Sequence, residues 1–333
     1  MRDLAASPSS ETVTEPMVIG VLTGGRSRER DRSLQTGGAV AQALRSLGHQ
    51  VDIIDTADSS FGERVRGVSV AFLALAGRYA EDGRLQGYLE TVDVRYTGSG
   101  VLASALAMHK PSAKTIVAAA GVPVLPHVRI DPVRDAHAEA VEVLKRLDAP
   151  VIVKPESEGS SIDITVARSV GELADLIAGQ RRDELRLFAE PFVQGRSVTV
   201  GVLETQSGPI TLPVVEVAAQ REFYDHTAKL DPSLHTFICP AILPPGVSDT
   251  VTRLACLAHR SLGCAGYSRS DFVIATTEDG ATGAGVYWLE ANTLPGLRLD
   301  GTFALMAKTV GMAYEQLIAR ILDNAWQPQP YAP

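Results

Sequence analysis

The sequence is poor in cysteine, in net positive charge and in long apolar runs, and each shortage excludes a class of protein. Three cysteines occur among 333 residues, and none belongs to a C-x-x-C pair. So few cysteines exclude a disulfide framework and the usual spacing of zinc ligands, and they fit a reducing compartment. The net charge of −8 argues against a partner made of nucleic acid, because such proteins carry a basic surface.

The absence of long apolar runs argues against a membrane partner. No run approaches the roughly 20 apolar residues that cross a bilayer. Residues 1–16 are polar and lack the apolar centre of a signal peptide. We therefore expect a disordered tail over 1–16 and a cytoplasmic protein.

The length and the order of patterns predict a multi-unit α/β chain. A single core tends to stop growing near about 250 residues, so 333 residues suit two or three units. Residues 17–100 alternate strand-like and helix-like runs, which predicts a mostly parallel sheet covered by helices. We place the later boundaries near 195, giving units over 101–195 and 196–330.

Two strand-like segments near the end of the chain carry the most chemical information. YSRSDFVIA and GVYWLEAN flank TTEDGATGAG, a segment full of turn formers, so a hairpin is expected. Side chains two apart on a strand share a face, which groups Arg269 with Asp271 and Glu290 with Asn292. Such oxygen ligands suit Mg²⁺ with nucleotide phosphates. The alternative is a solvated polar strand face.

Three further segments are weaker candidates for binding. Gly24–Glu29 follows the first strand and precedes a helix, where glycines and open N–H groups favour anions, although a charged turn is equally compatible. Lys154 ends the strand PVIVKP beside the small-residue loop ESEGSS, as a phosphate clamp would, or it reaches solvent. Glu190 ends RLFAE, where backbone groups could hold an adenine edge, or it is an ordinary strand exit.

Taken together, these stretches resemble the D-alanine–D-alanine ligase family of the ATP-grasp enzymes. The resemblance runs from about residue 18 to 323, in family order and at family-like spacing. It is carried by GGRSRERDRSL, GRYAEDGRLQG, YTGSGVLASALAMHK, PVIVKPESEGSS, FYDHTAK, LGCAGYSRSDF and LEANTLPG. It implies an ATP-grasp fold with an N-terminal Rossmann-like domain and two further subdomains, 101–195 central and 196–330 C-terminal.

The resemblance also implies an activity and its cofactors. Family members join two amino acids through an acyl phosphate, converting ATP to ADP and phosphate. Two Mg²⁺ ions, or Mn²⁺ in their place, would be held by Asp271, Glu290 and Asn292. The nucleotide would be contacted by Lys110, Lys154, Ser160, Ser161, Glu190, Val193 and Lys229.

The implied amino-acid site uses a different set of residues. Glu29 would pair with the ammonium of the first amino acid, and Ser160 would belong to the loop that closes over the reaction. Arg269 and the backbone N–H of Gly296 would stabilise the oxyanion of the tetrahedral intermediate. A homodimer is expected from the resemblance alone.

Several acceptor positions depart from the family pattern. Ala76 replaces a histidine, Leu230 the tyrosine of a Glu–Ser–Tyr triad, and Gly301 the serine that holds the second substrate's carboxylate. A site that loses a hydrogen-bonding group changes its substrate preference. We therefore expect a ligase with an altered acceptor.

Two alternatives stay open at this point. His226 falls where depsipeptide-forming relatives carry histidine, which favours a hydroxy-acid acceptor, although those relatives tend to lack Lys229. The second alternative is a non-catalytic protein that binds ATP or amino acids. The intact metal and phosphate positions argue against it.

Overall fold

The computed structural model describes residues 16–159, 163–180, 185–219, 231–276 and 282–326. Within these ranges no helix has both the length and the apolarity needed to cross a bilayer. The described residues form three separate sheets.

The first sheet is parallel, as the alternating pattern predicted. Its strand order is β2-β1-β3, with β1 at Val18–Thr23, β2 at Gln50–Asp55 and β3 at Val70–Leu73. Strands β1 and β3 are almost fully buried, and a helix follows each strand of the sheet, which explains why the sequences of these two strands are apolar. The helices are α1 (Arg30–Ser46), α2 (Phe61–Arg64) and α3 (Arg84–Thr91).

Two helices connect the first sheet to the second. The segment VLASALAMHKPSAKTIVAAAG predicts one helical stretch, and the structure forms two helices there, α4 (Val101–Met108) and α5 (Lys110–Ala119). His109 breaks the stretch with φ −87° and ψ 89°, outside the helical region, and caps α5 with its side chain. Pro111 follows in the first turn of α5, where its missing N–H costs nothing.

The second sheet is antiparallel, in the order β4-β7-β5-β6. Helices α6 and α7 pack together on it, and their apolar stripes close a small core around Val143, Val153 and Leu173. The elements are β4 (Val128–Arg129), α6 (Ala136–Leu147), β5 (Val151–Pro155), β6 (Thr165–Ala167), α7 (Val170–Gln180) and β7 (Leu187–Pro191).

The third sheet has the order β11-β10-β8-β12-β13, with β9 paired to β8. Pro213 separates β9 from β10, because proline has no N–H for a ladder. The sequence of 219–241 predicts a long irregular stretch, but the described part of it contains strand β11. The strands are β8 (Gly195–Thr205), β9 (Gly208–Thr211), β10 (Val215–Ala219), β11 (His235–Ile238), β12 (Tyr267–Thr276) and β13 (Thr282–Asn292).

Among the described residues after β11 there are three helices: α8 (Val247–Ser261), α9 (Thr302–Thr309) and α10 (Tyr314–Asp323). Helix α8 covers the back of the third sheet, where Leu254 and Ala258 meet Phe272. The last two helices reach the first unit instead, because Phe303 and Leu317 belong to the same core as Leu22 of β1.

Candidate active site

The hairpin of β12 and β13 forms the floor of the site. The two strands pair antiparallel, with Arg269 opposite Asn292 and Asp271 opposite Glu290. These four side chains are half-buried, whereas the intervening Ser270 is fully buried on the other face. The strands thus present the guanidinium, two carboxylates and the amide on one face.

Arg269 and Asp271 are joined by a two-pronged ion pair. The Nε and Nη2 atoms of Arg269 each donate to an Asp271 carboxylate oxygen at 2.8 Å, and Thr199 of β8 donates to the Oδ1 atom at 2.6 Å. Burial opposes the charge of Arg269. Asp271 and Glu290 outweigh that effect and raise the arginine's pKa. Arg269 is therefore a permanent positive charge on the floor.

Lys110 brings a second positive charge to the floor from α5. Its Nζ atom lies 3.2 Å from Oε2 of Glu290 and also donates to the backbone oxygen of Glu158. Lys110 is only 6% exposed, so its ammonium points inward and not to solvent. It links the hairpin to the segment after β5.

A pocket lies between these elements. Its wall combines charged groups from the first unit, from α5, from the segment after β5 and from β13. The lining residues are Glu81, Ala107, Met108, Lys110, Glu158, Gly159, Glu290, Ala291, Asn292 and Thr293.

Lys154 and Glu190 meet in a buried charge cluster next to this region. The carboxylate of Glu190 accepts hydrogen bonds from Lys154 and, at 2.5 Å, from Lys114. Glu190 is 1% exposed. Burial raises the pKa of its carboxyl, but the two ammonium groups outweigh this and lower it, so the carboxylate is charged. One carboxylate between two ammonium groups leaves excess positive charge, which suits an anion such as phosphate.

Glu29 reaches the same region from the start of α1. A Cβ atom added to Gly77 would lie 2.5 Å from its Oε2 atom, and one added to Gly159 would lie 2.8 Å away. The glycines therefore make room for this carboxylate. The Glu29 carboxylate thus lies between Gly77, in the first unit, and Gly159, in the segment after β5.

The sequence analysis missed Glu81, whose side chain is buried in the pocket wall. It accepts hydrogen bonds from the backbone N–H groups of Gly77, at 2.7 Å, and Leu294, at 3.2 Å. Burial, and secondarily the nearby charge of Glu29, raise its pKa to about 8. Its position in GRYAEDG, a motif that carried the resemblance, was the available signal.

The sequence analysis also missed Lys114, although its spacing from Lys110 was a usable signal. It lies four residues after Lys110 on α5, so both lysines share a helix face. Both are buried, which is unusual for lysine and marks that face as one that meets anionic groups.

The remaining predicted residues are less informative. Val193 is half-buried in the connection between β7 and β8, and Gly296 is exposed in the turn after β13. Ser160, Ser161 and Lys229 lie outside the described residues, as does His226.

The floor residues fit a hard divalent cation by their chemistry. Carboxylate and amide oxygens are the ligands that Mg²⁺ uses. The amide nitrogen of Asn292 is buried and has no hydrogen-bond partner in the part of the chain that the structure describes. In the same part, no cluster of three His, Cys, Asp or Glu residues offers a competing metal site.

Comparison with known proteins identifies the family. The family model described as "D-ala D-ala ligase C-terminus" matches residues 116–323. The chain belongs to the D-alanine–D-alanine ligase family. A D-alanine–D-alanine ligase of Geotalea uraniireducens is 42% identical over 308 residues, which cover 92% of this chain and 95% of the relative. That of Carboxydothermus hydrogenoformans is 38% identical over 310 residues, covering 92% and 97%.

Solved structures of the D-alanine–D-alanine ligase family agree with the fold. The Bacillus anthracis ligase complexed with ATP superposes with a TM-score of 0.77 at 25% identity, covering 92% of this chain and 97% of that one. The VanG D-Ala:D-Ser ligase of Enterococcus faecalis gives 0.76 at 25% identity, covering 93% and 99%. The predictions of an ATP-grasp fold and of a ligase are confirmed.

The structure describes Gly301, one of the positions that the sequence analysis expected to depart from the family pattern. Gly301 lies against the turn that carries Gly296, since a Cβ added to it would be 3.4 Å from the Gly296 oxygen and 3.1 Å from that of Arg298. Its backbone N–H donates a hydrogen bond to the backbone oxygen of Arg298 at 3.0 Å. Position 301 therefore offers no side-chain donor beside this turn.

Proposed function

We propose that this protein joins two amino acids in an ATP-dependent reaction that passes through an acyl phosphate. The carboxylate of the first amino acid attacks the terminal phosphate of ATP, and ADP leaves. The amine of the second amino acid then attacks the acyl carbon, loses a proton and expels phosphate. The supporting observation is the shared face of Arg269, Asp271, Glu290 and Asn292, with Lys110 in contact with Glu290.

The residues divide into two groups by what they would do. Asp271, Glu290 and Asn292 would hold two Mg²⁺ ions, or Mn²⁺, which supply charge neutralisation to the phosphates. Lys110 and the cluster of Lys114, Lys154 and Glu190 supply positive charge where the phosphates would lie. The nucleotide would also be contacted by Ser160, Ser161, Val193 and Lys229.

The amino acids would lie between the first unit and the hairpin. The carboxylate of Glu29 would pair with the ammonium of the first amino acid. Arg269, which is ion-paired with Asp271, and the backbone N–H of Gly296 would both face the oxyanion that develops at the acyl carbon. Donors fixed at such a position typically contribute about 3–4 kcal/mol each.

We further propose that the second substrate is not D-alanine. Gly301 leaves no hydroxyl beside Gly296, and the VanG D-Ala:D-Ser ligase is one solved structure of similar fold whose second substrate differs. A hydroxy acid is the alternative acceptor, which would give an ester in place of an amide. We further expect a homodimer acting in the cytoplasm, with residues 17–100, 101–195 and 196–330 as its three subdomains.

The test is phosphate release from ATP and Mg²⁺ with a panel of D- and L-amino acids and hydroxy acids. Release with an amino-acid pair, and a peptide product by mass spectrometry, would support the amide-forming reaction. Release only with a hydroxy acid would support the ester alternative. No release with any pair, together with measurable ATP binding, would show a binding protein and contradict the proposal.

A further inference from the structure

Glu156 is a buried carboxylate that the proposed mechanism does not use. It is the first residue after β5 and is 3% exposed. Its side chain points toward the start of α5 and not into the pocket. A buried charge of this kind is costly unless several donors satisfy it, so its partners show what it holds in place.

The first partner is His109, the residue that caps α5. The Nδ1 atom of His109 accepts from the backbone N–H of Ser112 at 3.3 Å, while its Nε2 atom lies 3.2 Å from Oε2 of Glu156. Because Nδ1 accepts, the proton of a neutral ring lies on Nε2 and is donated to Glu156. The ring is thus held at both nitrogens, by Glu156 at Nε2 and by Ser112 at Nδ1, where the Ser112 hydroxyl also lies 2.7 Å away.

The second partner is Arg129 of β4. Its Nε and Nη2 atoms donate to the two Glu156 oxygens at 2.6 Å and 3.0 Å. Burial raises the pKa of Glu156, but hydrogen bonds from Arg129 and His109 outweigh it and lower the pKa. The carboxylate therefore stays charged and keeps both donors.

The backbone of Glu156 continues the same connection. Its N–H donates to the oxygen of Arg186 at 2.8 Å, and its own oxygen accepts from the N–H of Lys110 at 2.8 Å. Lys110 in turn reaches Glu290 of β13 with its Nζ atom at 3.2 Å. Glu156 thus holds the residue before Lys110 by its side chain and Lys110 itself by its backbone.

We propose that Glu156 is a positioning residue that sets the start of α5, so that the Lys110 ammonium lies beside Glu290. The inference rests on the proposed function, in which Lys110 contacts the phosphates of ATP. Glu156 itself touches neither substrate nor metal. Its effect is transmitted by His109 and by the backbone of Lys110.

The test compares Glu156→Gln with Glu139→Gln in the full-length protein. Glu139 is a matched control, since it is a buried carboxylate of the same unit that meets an arginine, Arg134, at 3.5 Å. Removing the hydrogen-bond partner of a metal ligand typically costs 10- to 100-fold in affinity or activity. By analogy, Glu156→Gln should raise the KM for ATP by about tenfold or more. Glu139→Gln should leave that KM unchanged.

Measuring KM and kcat separately distinguishes a positioning role of Glu156 from a simple loss of folded protein. A variant that only unfolds has fewer active molecules, which lowers kcat and leaves the KM for ATP at its wild-type value. An unchanged KM in Glu156→Gln, with phosphate release still present in the wild type, would overturn the inference. Absence of phosphate release in the wild type would instead contradict the proposed function.

A second variant keeps the test decisive if Glu156→Gln folds poorly. His109→Asn retains a residue that caps helices well but loses the contact with Glu156. We expect it to raise the KM for ATP by several-fold and the double variant to add little to Glu156→Gln, because both act through one contact. Fully additive effects, or no effect of His109→Asn, would show that the ring does not transmit the position.

Discussion

The carboxylate of Glu81 accepts a hydrogen bond from the backbone N–H of Leu294 at 3.2 Å, across 213 positions of sequence. Its other oxygen accepts from Gly77 at 2.7 Å. Glu81 therefore joins the turn after β3 to the turn after β13, which carries Gly296. One buried side chain thus hydrogen-bonds the first unit to the segment that carries Gly296.

The raised pKa of Glu81 predicts a pH-dependent stability. An unfolded chain releases this proton near the ordinary pKa of 4.5, whereas the folded chain retains it until about pH 8. The protonated form is the stable one, so this group's contribution is lost as the pH rises from about 4.5 to 8. Glu81→Gln cannot ionise and should remove this loss, up to roughly 1.4 kcal/mol for each pH unit in that interval.

Urea unfolding at pH 5 and pH 8 checks the prediction for Glu81. The difference in unfolding free energy between Glu81→Gln and the wild type should shift in favour of the variant at pH 8. Glu142→Gln, at a partly exposed position on α6, serves as the control and should show no such shift. Parallel pH dependence of Glu81→Gln and the wild type would refute the assignment.

Glu290→Gln should nearly abolish turnover while preserving the fold. The substitution keeps the shape of the side chain but removes a charge that would hold a metal ion, which is worth several kcal/mol in the transition state, or roughly a thousandfold in kcat. Phosphate release and circular dichroism measure the two effects. Glu172→Gln, on the exposed side of α7, is the control. Near-normal turnover of Glu290→Gln would remove this residue from the metal site.

Glu29→Ala should weaken the use of a first substrate that carries an α-ammonium group. The carboxylate lies beside Gly77 and Gly159, so its removal leaves an ammonium without a partner. Loss of a hydrogen bond to a charged group costs about 1.5–3 kcal/mol, or roughly 10- to 150-fold in kcat/KM for that amino acid. The KM for ATP should change little. Unchanged kinetics with the first amino acid would discard this role.

Glu190→Gln should destabilise the protein strongly. It leaves Lys114 and Lys154 together without the carboxylate that both contact. Removing one member of a buried ion pair costs about 3–5 kcal/mol, because the remaining charge is uncompensated. Thermal unfolding measures this loss, and added ATP with Mg²⁺ should restore part of it through the phosphate charge. A wild-type midpoint in the variant would show that the lysines do not depend on Glu190.

Local patterns predicted most of the elements and the hairpin that forms the floor. The run QVDIID predicts strand β2, HAEAVEVLKRLD predicts helix α6, and turn formers between two strand-like runs predict the pairing of β12 with β13. All three signals are properties of neighbouring residues. Short elements such as β6 and β11 did not emerge, because three or four residues carry no clear period. Helix α9 was missed because it has only eight residues and its N-cap, Gly301, has no side chain to mark the start of a helix.

The contacts that build the site were less accessible to sequence reasoning. Arg269, Asp271 and Glu290 could be grouped because they lie on paired strands. Glu81 and Glu156 could not be placed, since Leu294, His109 and Arg129, which they contact, are distant from them in sequence, and burial of a glutamate leaves no local signature. The charge cluster around Glu190 shows the same limit, because its two lysines come from α5 and β5.

The shared core of the first and last units bears on how the chain is made. Leu22 of β1 and Val40 of α1 are covered by Leu317 and Ile321 of α10, at the far end of the sequence. The second sheet has its own core, drawn from residues 130–189. During vectorial synthesis the middle of the polypeptide can thus condense first. The opening segment keeps apolar surface uncovered until the segment that carries α10 has been synthesised.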